Sequence, residues 1–306
     1  MSASMQILRT AMLALAMISC QAAHAADPWK AALVEKAEPK EIIKEARLPA
    51  ESEIPGMLTA PASAIGDIEA AWYAHPTSRY RHGALGDMVE GGALVVRLKG
   101  GVQINYRLPE TAVFEDIAPR IADLDNDGTS EVITIVSSFR AGAAIVIFRV
   151  TGGDALVKFA ATPPLGQENT WLNVAGIERY FGTQTPEIAF VARPHRDGQL
   201  GFLKFIRGKL RLVTTKPGFS NHVFGSTELR LSASADVDGN GTMELALPSL
   251  NRKALRILAL TRKGIVELAK VDLAAPIDKP VIAEGTGKDA AFIVGLEDNT
   301  VWRISR

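Results

Sequence analysis

One cysteine is all that this chain of 306 residues contains. That residue, Cys20, follows a short apolar stretch, Ala11 to Ile18, and precedes a small-x-small cleavage site, Ala23-His24-Ala25. With Arg9 as a positive start, residues 1–25 read as a secretory signal. Cleavage after Ala25 removes Cys20, so the mature chain is expected to hold no disulfide, no thiol nucleophile and no thiolate metal site. The alternative is a lipoprotein anchored through Cys20, with Met17-Ile18-Ser19 as a poor lipobox. No other stretch approaches the ~18 uninterrupted apolar residues of a transmembrane helix. The expectation is a monomer, periplasmic or secreted, without a transmembrane segment.

Excess charge of either sign is also missing. Lys and Arg number 34, as do Asp and Glu, so nothing is available to neutralise a phosphate backbone and nucleic acid is not an expected partner. Catalytic signatures are absent as well. The chain has no Gly-x-Ser-x-Gly elbow, no phosphate-cradling loop, no dinucleotide glycine pattern and no His-x-x-x-His. Helix-rich stretches do not alternate with strands, which disfavours a doubly wound α/β fold, and no helical-repeat signature is present. At 47% hydrophobic residues, the chain can still bury one large core or an array of small ones.

What is present begins with a change of texture. Residues 26–56 crowd Lys and Glu among Pro28, Pro39, Pro49 and Pro55, and read as a charged leader or spacer in which any helix at Ile42-Ile43 is limited to about two turns. From residue 57 to 306 short apolar runs are punctuated by glycine. Hairpin turns at Gly100, Gly152, Gly208 and Gly264 are spaced 52, 56 and 56 residues apart, each between two strand-like runs. A second series of strands begins near Ile117, Leu172, Leu229 and Val281. Four strands at a period near 55 residues suggest an all-β propeller of five four-stranded blades. The last unit lacks its fourth strand, and a segment within residues 57–73 is expected to supply it, since an open sheet edge invites pairing. A β-sandwich or a solenoid is the alternative.

Two turns carry metal chemistry. Asp123-Leu124-Asp125-Asn126-Asp127-Gly128-Thr129-Ser130-Glu131 is echoed by Asp236-Val237-Asp238-Gly239-Asn240-Gly241-Thr242-Met243-Glu244. Calcium takes six to eight oxygens, and short carboxylates at alternate positions of a tight loop converge on one centre. Asp123, Asp125, Asp127, the Thr129 carbonyl and Glu131 form the first expected set. Asp236, Asp238, Asn240, Thr242 and Glu244 form the second. Neither loop is an EF-hand, because the twelfth positions, Thr134 and Leu247, lie in apolar runs. Carboxylates about 4 Å apart repel by roughly 1 to 4 kcal/mol per pair, so both loops are expected to be loose without metal. Counting carboxylates ranks the first loop as the tighter site.

These two segments, with Ile121-Ala122 and Ser234-Ala235 ahead of them and Phe224-Gly225 before the second, resemble FG-GAP or VCBS-type repeats. Glu131 and Glu244 stand where that family usually has Asp. The resemblance covers roughly residues 117–136 and 223–248. It implies a calcium-binding β-propeller like that of integrin α-subunit heads, with metal between the first two strands of a blade. In the intervening unit Glu178-Arg179-Tyr180-Phe181-Gly182 replaces the carboxylate ladder, and that unit is expected to be metal-free.

Of the remaining polar residues, His82, Arg193, His195 and His222 fall in turns. If those turns share one face, they form a polar mouth for an anionic or sugar ligand. Asp87 and Glu90 read as ordinary turn acids, and Trp72, Trp171 and Trp302 as core. The leading expectation is a calcium-stabilised module that binds a protein or glycan without chemistry of its own. A polysaccharide hydrolase or lyase with its site in that mouth is the first alternative. A structural surface or assembly protein tethered by the leader is the second. Convergence of His82, His195 and His222 in one pocket favours an enzyme or small-ligand site.

Overall fold

A computed structural model describes residues 28–34, 50–62 and 65–306; the signal, Cys20 and most of the leader lie outside the described residues. The fold is all-β. Its strands are β1 (Lys30–Leu33), β2 (Ala60–Pro61), β3 (Ile68–Thr77), β4 (Glu90–Leu98), β5 (Gln103–Arg107), β6 (Ala112–Phe114) and β7 (Arg120–Ala122). Next come β8 (Glu131–Ser138), β9 (Gly142–Thr151), β10 (Ala155–Ala161), β11 (Leu172–Glu178), β12 (Glu187–Ala192), β13 (Gln199–Ile206) and β14 (Lys209–Lys216). The last seven are β15 (Ala233–Ala235), β16 (Glu244–Pro248), β17 (Ala254–Thr261), β18 (Gly264–Asp272), β19 (Ile277–Glu284), β20 (Ala291–Leu296) and β21 (Val301–Ser305). One short 3-10 turn, Gly287–Asp289, is the sole helical element among the described residues.

All pairings are antiparallel and most join neighbours in the chain, giving units β2-β3-β4-β5, β7-β8-β9-β10, β11-β12-β13-β14 and β15-β16-β17-β18. The small strand β6 pairs with both β4 and β8 and fuses the first two units into one nine-stranded sheet. The fifth unit is β19-β20-β21 with β1 added at its edge, Leu33 opposite Trp302 and Lys30 opposite Ser305. This corrects the expectation that residues 57–73 complete that unit. Those residues are already used, since β2 and β3 build the first unit. It also takes Lys30–Leu33 out of the spacer. Farther along, Ile54 and Met57 are buried in the core shared by the first two units.

Period-two alternation sends the two faces of each unit into different cores. Val132, Val146 and Phe148 pack against Tyr73, Leu94 and Val96 of the first unit. Their neighbours Ile133, Ile145 and Ile147 point the other way, onto Val174, Ile188 and Phe205 of the third. The same relation joins the third unit to the fourth through Phe202 and Leu245, and the fourth to the fifth through Ile257 and Phe292. Each fully buried side chain of this kind contributes about 1.5–3 kcal/mol. Strands β8, β9, β16 and β20 are buried on both faces, whereas the outer strands β10, β14 and β18 alternate with solvent. No helix of the described residues is long and apolar enough to cross a membrane.

Because the strands run back and forth, successive connections alternate between the two ends of a sheet. The acidic turns join β7 to β8 and β15 to β16 at one end. The β3–β4 and β12–β13 loops, with the links β10–β11 and β14–β15, gather at the other. A single strand shows the separation: β8 begins at Glu131 in an acidic turn and carries Ser137 near its far end, roughly 20 Å away at the rise of an extended chain.

Candidate functional site

The acidic turns fold around their first aspartate. Asp123 Oδ1 accepts from the backbone N–H of Asn126 at 2.7 Å, and Oδ2 from Gly128 at 3.0 Å. Asp236 does the same for Gly239 and Gly241, at 2.7 and 2.8 Å. The closing glutamates are buried, Glu131 bonded to Leu124 N–H and Glu244 to Val237 N–H, each at 2.9 Å. Asp123, Asp125 and Glu131 bring carboxylate oxygens within 4.8 Å of one another, as do Asp236, Asp238 and Glu244. Both clusters could hold a metal ion. Asp127 and Asn240 are instead turned to the backbone N–H of Thr129 and Thr242. In the first turn, Asp125 Oδ1 is buried with no hydrogen-bond partner, an orphan acceptor that suits a cation.

The two turns differ most in the cation across the ladder. Arg149, on β9, donates to Glu131 Oε1 from Nε at 2.7 Å, to Asp125 at 2.9 Å, and lies 3.2 Å from Asp127. Its guanidinium also covers the Phe159 ring at 4.3 Å. A cation across the ladder recurs elsewhere, with Lys204 3.5 Å from Glu187 in the third unit and Arg97 3.4 Å from Glu69 in the first. In the fourth unit the position beside the Leu245–Leu258 pair is Ala259. Burial, added to repulsion by Asp238 and Asp236, pushes Glu244 up to about 7 against the Val237 bond and the charge of Arg306, which donates to Val237 O. For Glu131 burial also raises the value, and the Leu124 bond and Arg149 oppose it.

At the opposite end, the four residues expected to form a polar mouth come together. His82, Arg193 and His195 line a cavity of about 160 Å³ with Asn169, Trp171 and Phe224, and His222 lies directly behind His195. Two close backbone approaches set this geometry. At Gly198, φ is +55° and a Cβ would stand 1.8 Å from Phe219 O. At Gly86, φ is +95° and a Cβ would stand 2.5 Å from Gly225 O. The first pins the Arg193–Gly198 turn against the chain leading to His222. The second pins the His82 loop against Phe224-Gly225. Arg193 itself sits at φ +51° and Asn169 at φ +54°, strained positions of the kind that collect at binding sites.

Hydrogen bonds fix the imidazoles. His222 Nε2 lies 2.8 Å from Ser226 O, an acceptor only, so Nε2 carries a proton and Nδ1 of the neutral ring accepts from His195 Nε2 at 2.9 Å. Burial, then His222, His82 and Arg252, push His195 down to about 3. Burial is also the main cause for His222, at about 4. Trp171 stacks parallel to His195 and donates its Nε1–H to Glu115 O. Glu115, fully buried, holds His82 Nδ1 at 2.6 Å and accepts from Ser137. Arg193 is committed to Asp197 through two bonds of 2.6 and 2.7 Å. Phe224 is 56% exposed and meets both His82 and His195 edge to face.

Several of these residues carried no sequence signal. Glu115, Ser137 and Arg149 lie outside any motif, and Phe224 was legible only as half of the Phe-Gly pair. Glu90, read as an ordinary turn acid, is 1% exposed, and neither of its carboxyl oxygens has a hydrogen-bond partner. Burial, then Glu115, Asp87 and Asp116, push it up to about 9. Trp72 and Trp171 are buried as expected, while Trp302 is only partly so. A larger, open groove of about 450 Å³ near Gly218, Asn251 and Lys270 brings together no comparable group of aromatic and imidazole side chains.

Comparison with known proteins adds little. No family model matches the chain, and no curated protein matches it. Among solved structures it is similar to the crystal structure of exotype rhamnogalacturonan lyase YesX, at a TM-score of 0.41 and 15% identity, over 82% of this chain and 56% of that one.

Proposed function

We propose that this chain is a five-bladed, calcium-stabilised propeller of the FG-GAP or VCBS type, periplasmic or secreted, that binds a glycan in the cavity at the end remote from its acidic turns. The observation carrying the reading is the convergence of His82, His195 and Phe224, from three different loops, on one small concavity. An exposed aromatic face beside fixed polar groups suits a ring with one apolar face and several hydroxyls. The propeller reading is supported by consecutive four-stranded units sharing cores pairwise, and by β1 completing the last of them. Calcium fits the donor sets, which are all oxygen. The expected ranking of the two sites reverses: a metal in the first turn competes with Arg149, which is ion-paired to its carboxylates, whereas in the fourth-unit turn the nearby Arg306 is bonded to Val237 O and forms no ion pair with the ligands.

Glycan arrays probed with and without chelator test the reading. Binding lost in Phe224→Ala supports it, and an array blank under both conditions defeats it. A second reading is favoured by the His82–Glu115 pair, in which a buried carboxylate orients an imidazole toward the cavity as a base does in acid–base catalysis. New chain ends formed from a bound polysaccharide, and absent with His82→Ala, would make the protein an enzyme.

A further inference from the structure

We infer that the cavity takes an uncharged sugar ring, one face stacked on Phe224 and a hydroxyl donating to Nδ1 of His195, and that it discriminates against uronates. The inference rests on the glycan reading and adds the charge class of the ligand. Among the described residues His195 Nδ1 has no protein partner, while its Nε2 is committed to His222. His195, a lining residue of the cavity, thus keeps one free lone pair, and only a donor satisfies it. A uronate can still present a ring hydroxyl there, but its carboxylate brings no donor at neutral pH and must sit among groups that are already paired.

The positive groups nearby do not compensate. Arg193 is neutralised bidentately by Asp197, and such a pair leaves little charge for a third partner. Behind His82 lies the buried carboxyl of Glu115. Arg196 is the loosely held cation of the lining, with one long bond of 3.4 Å to Gln167, and is the group a uronate would have to recruit. Burial, then His222, His82 and Arg252, keep His195 neutral well below pH 7, so it offers an acceptor and no charge. The volume, about 160 Å³, equals the share of about five liquid waters and is small beside the roughly 300–1,000 Å³ of drug-sized pockets. That suits a single ring.

The test is titration of the full chain with methyl glucoside, methyl galactoside and methyl mannoside against glucuronate and galacturonate, read by ligand-observed NMR and calorimetry. At least one neutral glycoside is expected to bind, each uronate at least tenfold more weakly, and His195→Phe and Phe224→Ala each to lower affinity at least tenfold. His195→Phe keeps a ring against Trp171 and removes the acceptor. Phe224→Ala alters a mostly exposed side chain, and reports on the site even where the first variant does not fold. A uronate that binds as tightly as the neutral glycosides, or neutral binding unchanged by Phe224→Ala, overturns the inference and leaves glycan binding standing. Binding of no sugar at all, neutral or acidic, defeats the glycan reading and this inference with it.

Discussion

Arg149 and Glu131 face each other across β8 and β9, with the guanidinium donating to the buried carboxylate from two nitrogens. The arginine supplies within the chain part of the positive charge that a metal would bring. Removing one partner of a buried pair typically costs 3–5 kcal/mol, because the other is left uncompensated. Arg149→Met is therefore expected to lower the metal-free protein's stability by about 3 kcal/mol, and calcium is expected to restore most of it. Urea denaturation of the variant with chelator and with calcium measures both. A variant equally unstable in both would mean that the first turn holds no metal.

The fourth-unit turn should behave in the opposite way. Asp236, Asp238 and Glu244 have no basic partner on the neighbouring strand, so the wild-type protein is expected to draw its calcium stabilisation there. At a hundredfold excess over Kd the gain is about 2.7 kcal/mol. Asp236→Asn and Glu244→Gln should abolish the calcium-dependent rise in melting temperature, and Asp123→Asn should leave most of it. The reverse pattern would restore the ranking by carboxylate count.

That contrast shows what a sequence can and cannot carry. The acidic turns were legible because their ligands are contiguous, and the hairpins because glycine marks each reversal, as at Gly152 and Gly208. Arg149 was not, since it lies 18 residues from Glu131 and becomes its neighbour only through strand register. Glu115 follows Phe114 with no motif around it, and its role depends on a loop meeting His82 from another unit. The closing strand was misplaced because Lys30–Leu33 sits among charged residues, whereas Ala60–Thr77 looked free until the first unit claimed it. The clustering of His82, His195 and His222 was readable only as a condition on loop geometry; the first two line the cavity and His222 is buried behind His195.

The buried histidines link stability to pH. His195 and His222 have folded-state values of about 3 and about 4 against an ordinary 6.5, so between those limits the unfolded chain binds more protons. Their contribution is full above pH 6.5 and is lost as pH falls toward 4. For His222 alone the span corresponds to about 3 kcal/mol. Urea midpoints at pH 7.5 and 4.5 should show the loss, and His222→Phe should flatten it.

Glu90 acts with the opposite sign. Its folded-state value, about 9, lies above its ordinary 4.5, so stability present below pH 4.5 declines as pH rises toward 9. The cost at pH 7 is about 3 kcal/mol. Glu90→Gln, which carries no titrating proton, is expected to match wild type at pH 4.5 and to exceed it increasingly up to pH 8.5. A pH-independent difference would mean that the carboxyl has a partner in solution.

The cavity depends on backbone that no side chain can replace. Gly198 holds φ +55°, and any Cβ there would stand 1.8 Å from Phe219 O and 2.9 Å from Leu250. Neither the carbonyl nor the strained dihedral can yield locally, so the Arg193–Gly198 turn must lift. Lifting it carries His195 away from His222 and opens the wall against Phe224, and it also presses on Phe219, which is buried in the core between the third and fourth units. Gly198→Ala is thus expected to abolish sugar binding and to cost more stability than the roughly 1–3 kcal/mol of its strained dihedral alone. Gly153→Ala, a control at φ +82° with no atom near the added Cβ, should bear a comparable backbone strain and leave binding intact. Calorimetry of both variants beside their urea midpoints separates the two effects, and equal losses of binding would show that the turn does not position the site.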